Sequence, residues 1–180
     1  MENEAHPGDE ELWGSYVGGD DAALDALTDR YRDELFWYLL LSTGQQRAAA
    51  QHSMNVWETL ARYRRGFEAF GSFRGWLYAV ATQNAVPAAH PESLGLSDLI
   101  EDMRRGEPES RSGRVFYQVA DLARSARQPF LLVALAGLSV EEAARACNFT
   151  EERTVACVER AFRFLERTGL FTGRGEADEL

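Results

Sequence analysis

Lysine is absent from this sequence of 180 residues: all 19 basic residues are arginines, set against 29 acidic residues. The net charge of −10 is the opposite of the basic balance that is typical of nucleic-acid-binding proteins. A run of about 18 apolar residues is also missing, and the first residues lack the basic and apolar zones of a signal peptide. We therefore expect a cytoplasmic protein with neither a membrane span nor a secretion signal.

Histidine and cysteine are scarce as well. His6, His52 and His90 lie in unrelated contexts, and no group of carboxylate, Cys and His residues has the spacing of a metal or nucleophile site. No glycine-rich phosphate-binding loop occurs. Cys147 and Cys157 occupy positions that suit small apolar side chains, and we expect unpaired thiols in a core. The sequence predicts a protein that is not an enzyme and that holds no cofactor or metal.

The apolar residues follow helical periodicity, and no alternation of period two indicates a strand. A hydrophobic content of 45% over this length allows one medium or two small domains. We predict an all-α protein of two small helical bundles, joined by a linker rich in Pro, Gly, Ser and charge. Its predicted parts are an acidic lead at 1–9, a first bundle at 10–84, the linker at 85–112, a second bundle at 113–167 and a polar tail at 168–180.

Two prolines predict helix boundaries. Pro87 is expected to end the helix that contains Asn84, because proline lacks an N–H and restricts the residue before it. Gln128-Pro129 is expected to begin a helix, because proline is well suited to a first helical turn.

The second bundle contains the pattern of a helix-turn-helix. Ser139 and Glu142 have the spacing of a capping box, which predicts a helix start at Ser139. Asn148 and Phe149 break this helix, and Thr150 is placed to cap the next one. The buried face of that next helix is predicted from four apolar residues at three- and four-residue spacing: Val155, Val158, Phe162 and Leu165.

The opposite face of this last helix is mixed in charge and acidic at its start. Glu151 and Glu152 occupy the first turn, where the positive end of the helix dipole would otherwise meet a phosphate. These carboxylates stabilise the helix and repel a nucleic-acid backbone. Arg153, Arg160 and Arg163 are the cations that remain for contact with DNA.

This segment resembles region 4 of bacterial RNA polymerase sigma factors of the extracytoplasmic-function (ECF) type. The phrase at 137–144 is similar to the family's G-L-S-Y-E-E-I-A, and Arg160-Ala161 stands where an R-A pair ends the family's recognition helix. The family's T-V-K-S-R run is replaced at 153–157 by RTVAC, and Phe162 stands where another basic residue is usual. The resemblance implies a helix-turn-helix whose DNA binding is weakened.

The amino-terminal half resembles sigma region 2. Residues 19–35 are similar to the family's G-D-x-x-A-x-x-x-L-x-x-R-Y phrase, and residues 73–77 with Asn84 match its F-x-x-W-L and the Asn that follows. In the family, the helix between them binds the polymerase clamp through A-E-D-x-x-Q-E-x-F, but residues 49–57 read AAQHSMNVW. The resemblance places the remaining polymerase contacts at Gln51, Met54 and Asn55.

Arginines and aromatic residues are interleaved between residues 57 and 76. Proteins that bind single-stranded DNA use this mixture to contact the backbone and to stack on bases, and the resemblance places promoter melting in this segment. The alternative is that the aromatic residues form the core of a bundle with the arginines at its rim. The candidate DNA contacts in this segment are Arg62, Arg64, Arg65 and Arg74.

Two functions remain open. The first is a divergent ECF-type sigma factor that regulates transcription initiation through the RNA polymerase core and promoter DNA. The second is a sigma-factor mimic that has lost its DNA- and polymerase-binding surfaces and acts as a protein-interaction module, either as a decoy for an anti-sigma factor or as an adaptor. The substitutions spare the apolar core phrases and fall on the functional segments, which supports the second hypothesis.

Overall fold

The computed structural model describes residues 7–64, 70–88, 118–119 and 121–167. Within these ranges the chain forms seven helices and no strand, so the predicted all-α class is confirmed. In chain order they are α1 (Asp9–Val17), α2 (Asp21–Thr43), α3 (Gln46–Arg62), α4 (Phe73–Ala88), α5 (Arg124–Ala134), α6 (Val140–Cys147) and α7 (Glu151–Arg167). Outside the described residues lie His6, Arg65, His90, the linker from residue 89 onward and the tail at 168–180.

Helices α1 to α4 pack together as the first bundle. Asp20 caps α2 by accepting a hydrogen bond from the Ala22 N–H at 3.1 Å, and Gly44 ends the helix in the left-handed conformation at φ 73°. An aromatic cluster fills the centre, with the Trp13 ring 5.3 Å from that of Phe73 and 5.1 Å from that of Trp76. The aromatic residues at 73 and 76 are therefore core residues.

Helices α5 to α7 form the second bundle, and α6 and α7 form the predicted helix-turn-helix. Ser139 caps α6 in a complete capping box with Glu142, as the spacing predicted. Asn148 ends α6 in the left-handed conformation at φ 55°, and the Thr150 hydroxyl caps α7 by accepting from the Arg153 N–H at 3.2 Å. These local signals identified both helix boundaries correctly.

The predicted buried face of α7 is wrong in part. Val155 and Phe162 are 41% and 40% exposed, and Val158 is half-buried. Leu165 is buried as predicted, and the other buried positions are Thr154, Cys157 and Ala161, each one residue before a predicted position. Small side chains face the core because α5 and α6 approach α7 closely. The prediction took the large apolar residues as the buried face and therefore placed most of that face on the wrong side of the helix.

One proline prediction is wrong, and the other is confirmed to within one residue. Pro129 lies inside α5, which begins at Arg124, so the proline is the sixth residue of the helix and not its first. Helix α4 ends at Ala88, one residue past Pro87 and beyond the predicted start of the linker. Proline lacks the N–H that would continue the helix and its ring crowds the preceding turn, which agrees with a helix end at this point.

The two bundles are closed against each other. Helix α4 packs against α6, and the carboxyl-terminal part of the first bundle's α2 packs near α5. One continuous cluster of buried apolar residues extends from α1 to α7. Residues 75–82 of α4 are all buried, because the first bundle covers one side of this helix and α6 covers another. Helix α4 is thus the central element of the fold.

Candidate functional site

Arg74 lies between the two bundles rather than on an outer surface. Its Nε donates to the carbonyl oxygen of Ala136, in the turn before α6, and its guanidinium forms an ion pair with Glu34 of α2. The guanidinium carbon lies 5.3 Å from the ring centre of Tyr31 and 5.7 Å from that of Tyr78. The side chain is therefore occupied by contacts within the chain, although the sequence suggested a contact with DNA.

The groups around Arg74 have fixed protonation states near neutral pH. Burial opposes the charge of Arg74, but the Glu34 carboxylate and Tyr31 raise the pKa of its guanidinium above the usual value. Burial and hydrogen bonds to carboxylates raise the pKa of Tyr31, through Asp9, and of Tyr78, through Glu34. Two neutral phenols thus flank a half-buried ion pair within the first bundle, and the contact between Arg74 and the Ala136 carbonyl joins this group to the second bundle.

Arg62 and Arg64 are exposed at the end of α3, at the rim of the first bundle. The guanidinium of Arg64 lies 4.5 Å from the ring centre of Tyr16 in α1. The backbone carbonyl of Arg64 accepts a hydrogen bond from Trp13 Nε1 at 3.0 Å. Both cationic groups face solvent at the edge of an aromatic core. Arg62 and Arg64 therefore fit the alternative in which the aromatic residues form the core of the bundle and the arginines lie at its rim.

The three arginines of α7 are brought to the exposed side of the helix-turn-helix. Arg153 stacks on the ring of Phe149 at 3.7 Å, and Arg163 pairs with Glu159 at 3.3 Å. Arg160 is exposed between them. Glu151 and Glu152 lie exposed in the first turn, as the sequence predicted. The outward face of α7 therefore carries cations and carboxylates side by side, and no uniformly basic surface is formed among the described residues.

The exposed apolar residues of α7 lie at the other edge of its outward face, across the helix from Arg153 and Arg160. Val155 and Phe162 lie seven residues apart, two helical turns, so they share one side of the helix. The Phe162 ring also meets that of Phe130 in α5 edge-on, with centres 5.3 Å apart. Half-exposed apolar side chains on a helix-turn-helix recognition face are unsuited to phosphate contact but suited to contact with protein.

The candidate polymerase contacts share one face of α3. Met54 is 60% exposed, and Gln51 Nε2 donates to Asn55 Oδ1 at 3.1 Å across one turn of the helix. His52 lies beside them with a lowered pKa caused by burial, so its ring is neutral at pH 7. The face is partly apolar at Met54 and lacks the acidic pair of the resembling family, and the exposed charges of Arg47 and Glu58 lie one turn before Gln51 and one turn after Met54.

No local sequence pattern pointed to the residues that join the bundles. Ser72 and Arg127 were not among the predicted site residues, and their partners lie 70 and 86 residues away in the chain. Helical periodicity reports only on neighbours within a turn or two. Glu142 was found from its capping-box spacing, but its second partner in the other bundle was not.

No group of His, Cys, Asp and Glu side chains suited to a metal ion occurs in the described part of the chain. None of the described helices combines the length and apolarity needed to cross a membrane. Cys147 and Cys157 are free thiols, half-buried and buried respectively, in agreement with the expected core positions.

No protein-family model and no curated protein matches the chain. Among solved structures, the fold is similar to that in the structure of CnrH in complex with the cytosolic domain of CnrY. The TM-score is 0.66 at 17% sequence identity, and the similarity covers 93% of this chain and 99% of that chain. The likeness therefore includes both bundles, and the chain has the same all-helical fold as CnrH.

Proposed function

We propose that this protein is an ECF sigma factor-like regulator of transcription initiation, which acts through contacts with RNA polymerase core or with an anti-sigma factor. The observation that carries the proposal is the two-bundle fold, which is similar over nearly its whole length to that of CnrH, an ECF sigma factor. The sequence phrases that resemble sigma regions 2 and 4 lie on helices of this fold and supply a helix cap and core residues. Ser139 caps the first helix of the helix-turn-helix, and Trp76 lies in the core.

The contact with polymerase is assigned to the exposed face of α3. Gln51, Met54 and Asn55 lie along two successive turns, and Met54 supplies most of the exposed apolar surface. A flexible thioether is well suited to a protein contact, because it adapts to the partner's surface. The family's acidic residues are missing from this face, so we expect a binding energy that depends on apolar contact more than on charge.

A direct binding measurement tests this assignment. Purified chain is titrated against bacterial core RNA polymerase, with Met54→Asp as the variant and Val17→Asp as the matched control, since Val17 is also an exposed apolar residue, 41% exposed on α1. We expect Met54→Asp to weaken binding by about tenfold or more, which corresponds to about 1.4 kcal/mol, and Val17→Asp to leave it unchanged. Absence of binding by the unaltered chain at micromolar concentration would reject the polymerase function.

The second candidate is a sigma-factor mimic, and specific observations favour it. Arg74 is occupied between the bundles, Arg153 and Arg163 are engaged by Phe149 and Glu159, and the start of α7 is acidic. Arg74 must give up its contacts before it can neutralise a phosphate, and Glu159 competes with a phosphate for Arg163. The structure of CnrH contains the cytosolic domain of CnrY as its partner. By analogy, we propose a small regulatory protein as the partner of this chain.

DNA binding in the presence of polymerase separates the two candidates. A working sigma factor should bind promoter DNA with an affinity that falls as salt rises, and Arg160→Ala should reduce the salt slope by about one unit if that side chain contacts a phosphate. Arg32→Ala, on the exposed side of α2, is the control. An anti-sigma complex formed by a chain that shows neither polymerase binding nor salt-sensitive DNA binding would establish the mimic.

A further inference from the structure

The carboxylate of Glu142 joins the starts of two helices that belong to different bundles. Its Oε2 accepts from the Ser139 N–H at 3.0 Å and from the Ser139 hydroxyl at 2.9 Å, which completes the capping box of α6. Its Oε1 accepts the hydroxyl proton of Ser72 at 2.5 Å, at the start of α4. The partial positive charges of two helix starts thus meet one negative charge.

The start of α4 receives a carboxylate from the other bundle in addition to Glu10 of α1, whose Oε1 accepts from the Phe73 N–H at 3.2 Å. Ser72 Oγ accepts from the Gly75 N–H at 2.9 Å, which is the first half of a capping box. The third residue after the cap normally supplies a Glu or Gln, but here it is Gly75. The carboxylate comes from Glu142, 70 residues away from Ser72. The starts of the two helices are therefore joined through one side chain, while each serine caps its own helix.

Gly75 makes this approach possible. A Cβ atom at position 75 would lie 3.0 Å from Glu142 Oε1 and 3.0 Å from Ser72 Oγ, closer than nearly all side-chain contacts allow. Its backbone conformation is ordinary helix, so the absence of a side chain matters here for space rather than for φ. Any larger residue at this position pushes directly on the carboxylate that joins the two helices.

Two arginines add further polar contacts between the bundles. Arg74, next to Gly75, reaches the Ala136 carbonyl on one side and Glu34 on the other. Arg127 of α5 donates to the Leu41 carbonyl at 3.2 Å, in the last turn of α2, where a cation is favourable to the helix dipole. Beneath these contacts, the buried residues of α6 are three alanines, which bury little apolar area each. Polar contacts therefore carry a large part of the closure at α6.

We propose that Ser72, Gly75 and Glu142 form an interbundle clasp, which holds the helix-turn-helix closed on α4 and whose release lets the two bundles separate. Ser72 and Glu142 are only half-buried, so water can replace each hydrogen bond when the helices part. Both bundles keep their own helices in the open form, because Ser139 still caps α6 and Ser72 still caps α4. The clasp is a conformational device of this chain alone and does not depend on the proposed function.

One consequence does rest on the proposed function. In a helix-turn-helix the first helix crosses the DNA backbone, so this helix must be uncovered before it can dock. The start of α6 is covered by Ser72 and Gly75 of α4 in the closed form. The clasp must therefore open before this helix-turn-helix can dock on DNA.

Small-angle X-ray scattering of the isolated full chain tests the clasp without DNA or polymerase. The variant is Gly75→Glu, which places a second carboxylate against Glu142 while remaining favourable at a helix start. The matched control is Gly14→Glu, because Gly14 also lies in a helix but has nothing within 4 Å of an added Cβ. We expect Gly75→Glu to increase the radius of gyration with unchanged helical circular dichroism, and Gly14→Glu to match the unaltered chain. An unchanged radius for Gly75→Glu would overturn the proposal.

A second, milder variant keeps the test decisive if Gly75→Glu loses its helical signal. Ser72→Ala with Glu142→Gln removes the charged contact without adding bulk, and Glu141→Gln, on the neighbouring exposed glutamate, is its control. We expect faster amide exchange at residues 77–80 of α4 in the double variant and no change in the control. If the double variant also unfolds, the two bundles do not separate without unfolding of the whole chain, and the clasp is rejected. Because only the chain itself is measured, a failed clasp leaves the polymerase and DNA tests unaffected.

Discussion

Trp13 donates a hydrogen bond from its indole nitrogen to the backbone carbonyl of Arg64, 3.0 Å away and 51 residues later in the chain. The ring is almost completely buried, so this bond satisfies a donor that water cannot reach. It also fixes the end of α3 beside α1, and thereby holds the Arg64 guanidinium over Tyr16. The hydrogen bond of the buried Trp13 thus positions the arginine-rich end of α3.

Replacing Trp13 by Phe tests this relationship. The variant retains an aromatic ring but loses the hydrogen bond and part of the packing, so we expect the free energy of unfolding to fall by about 1–2 kcal/mol. Trp57→Phe, at a half-buried ring on α3, is the matched control and should cost less. Urea denaturation measures both. Equal losses in the two variants would show that the indole N–H of Trp13 contributes nothing specific.

Replacing Arg74 by Ala should destabilise the chain by about 2 kcal/mol, because Glu34 then remains half-buried without its cation and the Ala136 carbonyl loses its donor. Arg32→Ala is the control, since Arg32 and its partner Asp29 are more than two thirds exposed and such pairs contribute less than about 1 kcal/mol. Chemical denaturation of both variants gives the comparison. A loss at Arg74 no larger than that at Arg32 would return Arg74 to the candidate DNA contacts.

Stability should depend on the protonation of Glu142. Burial tends to raise its pKa, but hydrogen bonds from Ser72 and Ser139, together with Arg145, lower it below the ordinary value of 4.5. A carboxyl whose pKa is lowered by folding stabilises the fold above its unfolded pKa, and this contribution is lost as the pH falls through the folded value. The melting temperature of Glu142→Gln should therefore lie below that of the unaltered chain at pH 7, and the difference should vanish in acid. A difference that persists at pH 2 would contradict this assignment.

The orientation of α7 can be tested by one substitution at two positions. Ala161 is fully buried and Ala156 is exposed on the same helix. Ala161→Glu should cost more than about 3 kcal/mol, because it buries a carboxylate without a partner, whereas Ala156→Glu should change stability by less than about 0.5 kcal/mol. Thermal unfolding of both variants measures the difference. Similar losses would favour the face that was inferred from the large apolar residues.

The thiol of Cys147 should be unreactive in the folded chain. Burial and the neighbouring Cys157 raise the pKa of Cys147 to about 12, so thiolate at pH 8 is about a thousandfold scarcer than for an ordinary cysteine. Reaction with a disulfide reagent should therefore be at least about a hundredfold slower in buffer than in urea. Rapid reaction of one thiol in buffer would show that the α6–α7 contact opens readily.

Local features of the fold could be predicted because each depends on neighbours in the sequence. Ser139, Asn148 and Thr150 mark helix ends through hydrogen bonds that span only a few residues. The closed arrangement of the bundles could not be predicted in this way, since Arg74 and Arg127 choose partners far along the chain. One signal was nevertheless present: residues 75–82 of α4 are almost continuously apolar, and a helix without a polar face has neighbours all round.

The positions of the candidate site residues on their helices could be predicted better than the contacts that these residues make. The sequence placed Arg153, Arg160 and Arg163 on one helix, and the structure brings them to its exposed side. The stacking of Arg153 on Phe149 and the rotation of the apolar face depend on how closely α5 and α6 approach α7. That distance is set by the small residues Cys157 and Ala161, whose size carries little weight in a pattern of hydrophobicity.

The burial of α4 on all sides has a consequence for synthesis on the ribosome. Helix α4 is complete at Ala88, but α6, which covers one of its sides, begins only at Val140. At a translation rate of about 5–20 residues per second, α6 is synthesised roughly 3–10 s after α4. The apolar side of α4 that α6 covers stays exposed until then. During that interval the nascent chain exposes an apolar surface that favours aggregation. We expect the yield of folded protein to depend on chaperones that shield this helix until the second bundle has folded against it.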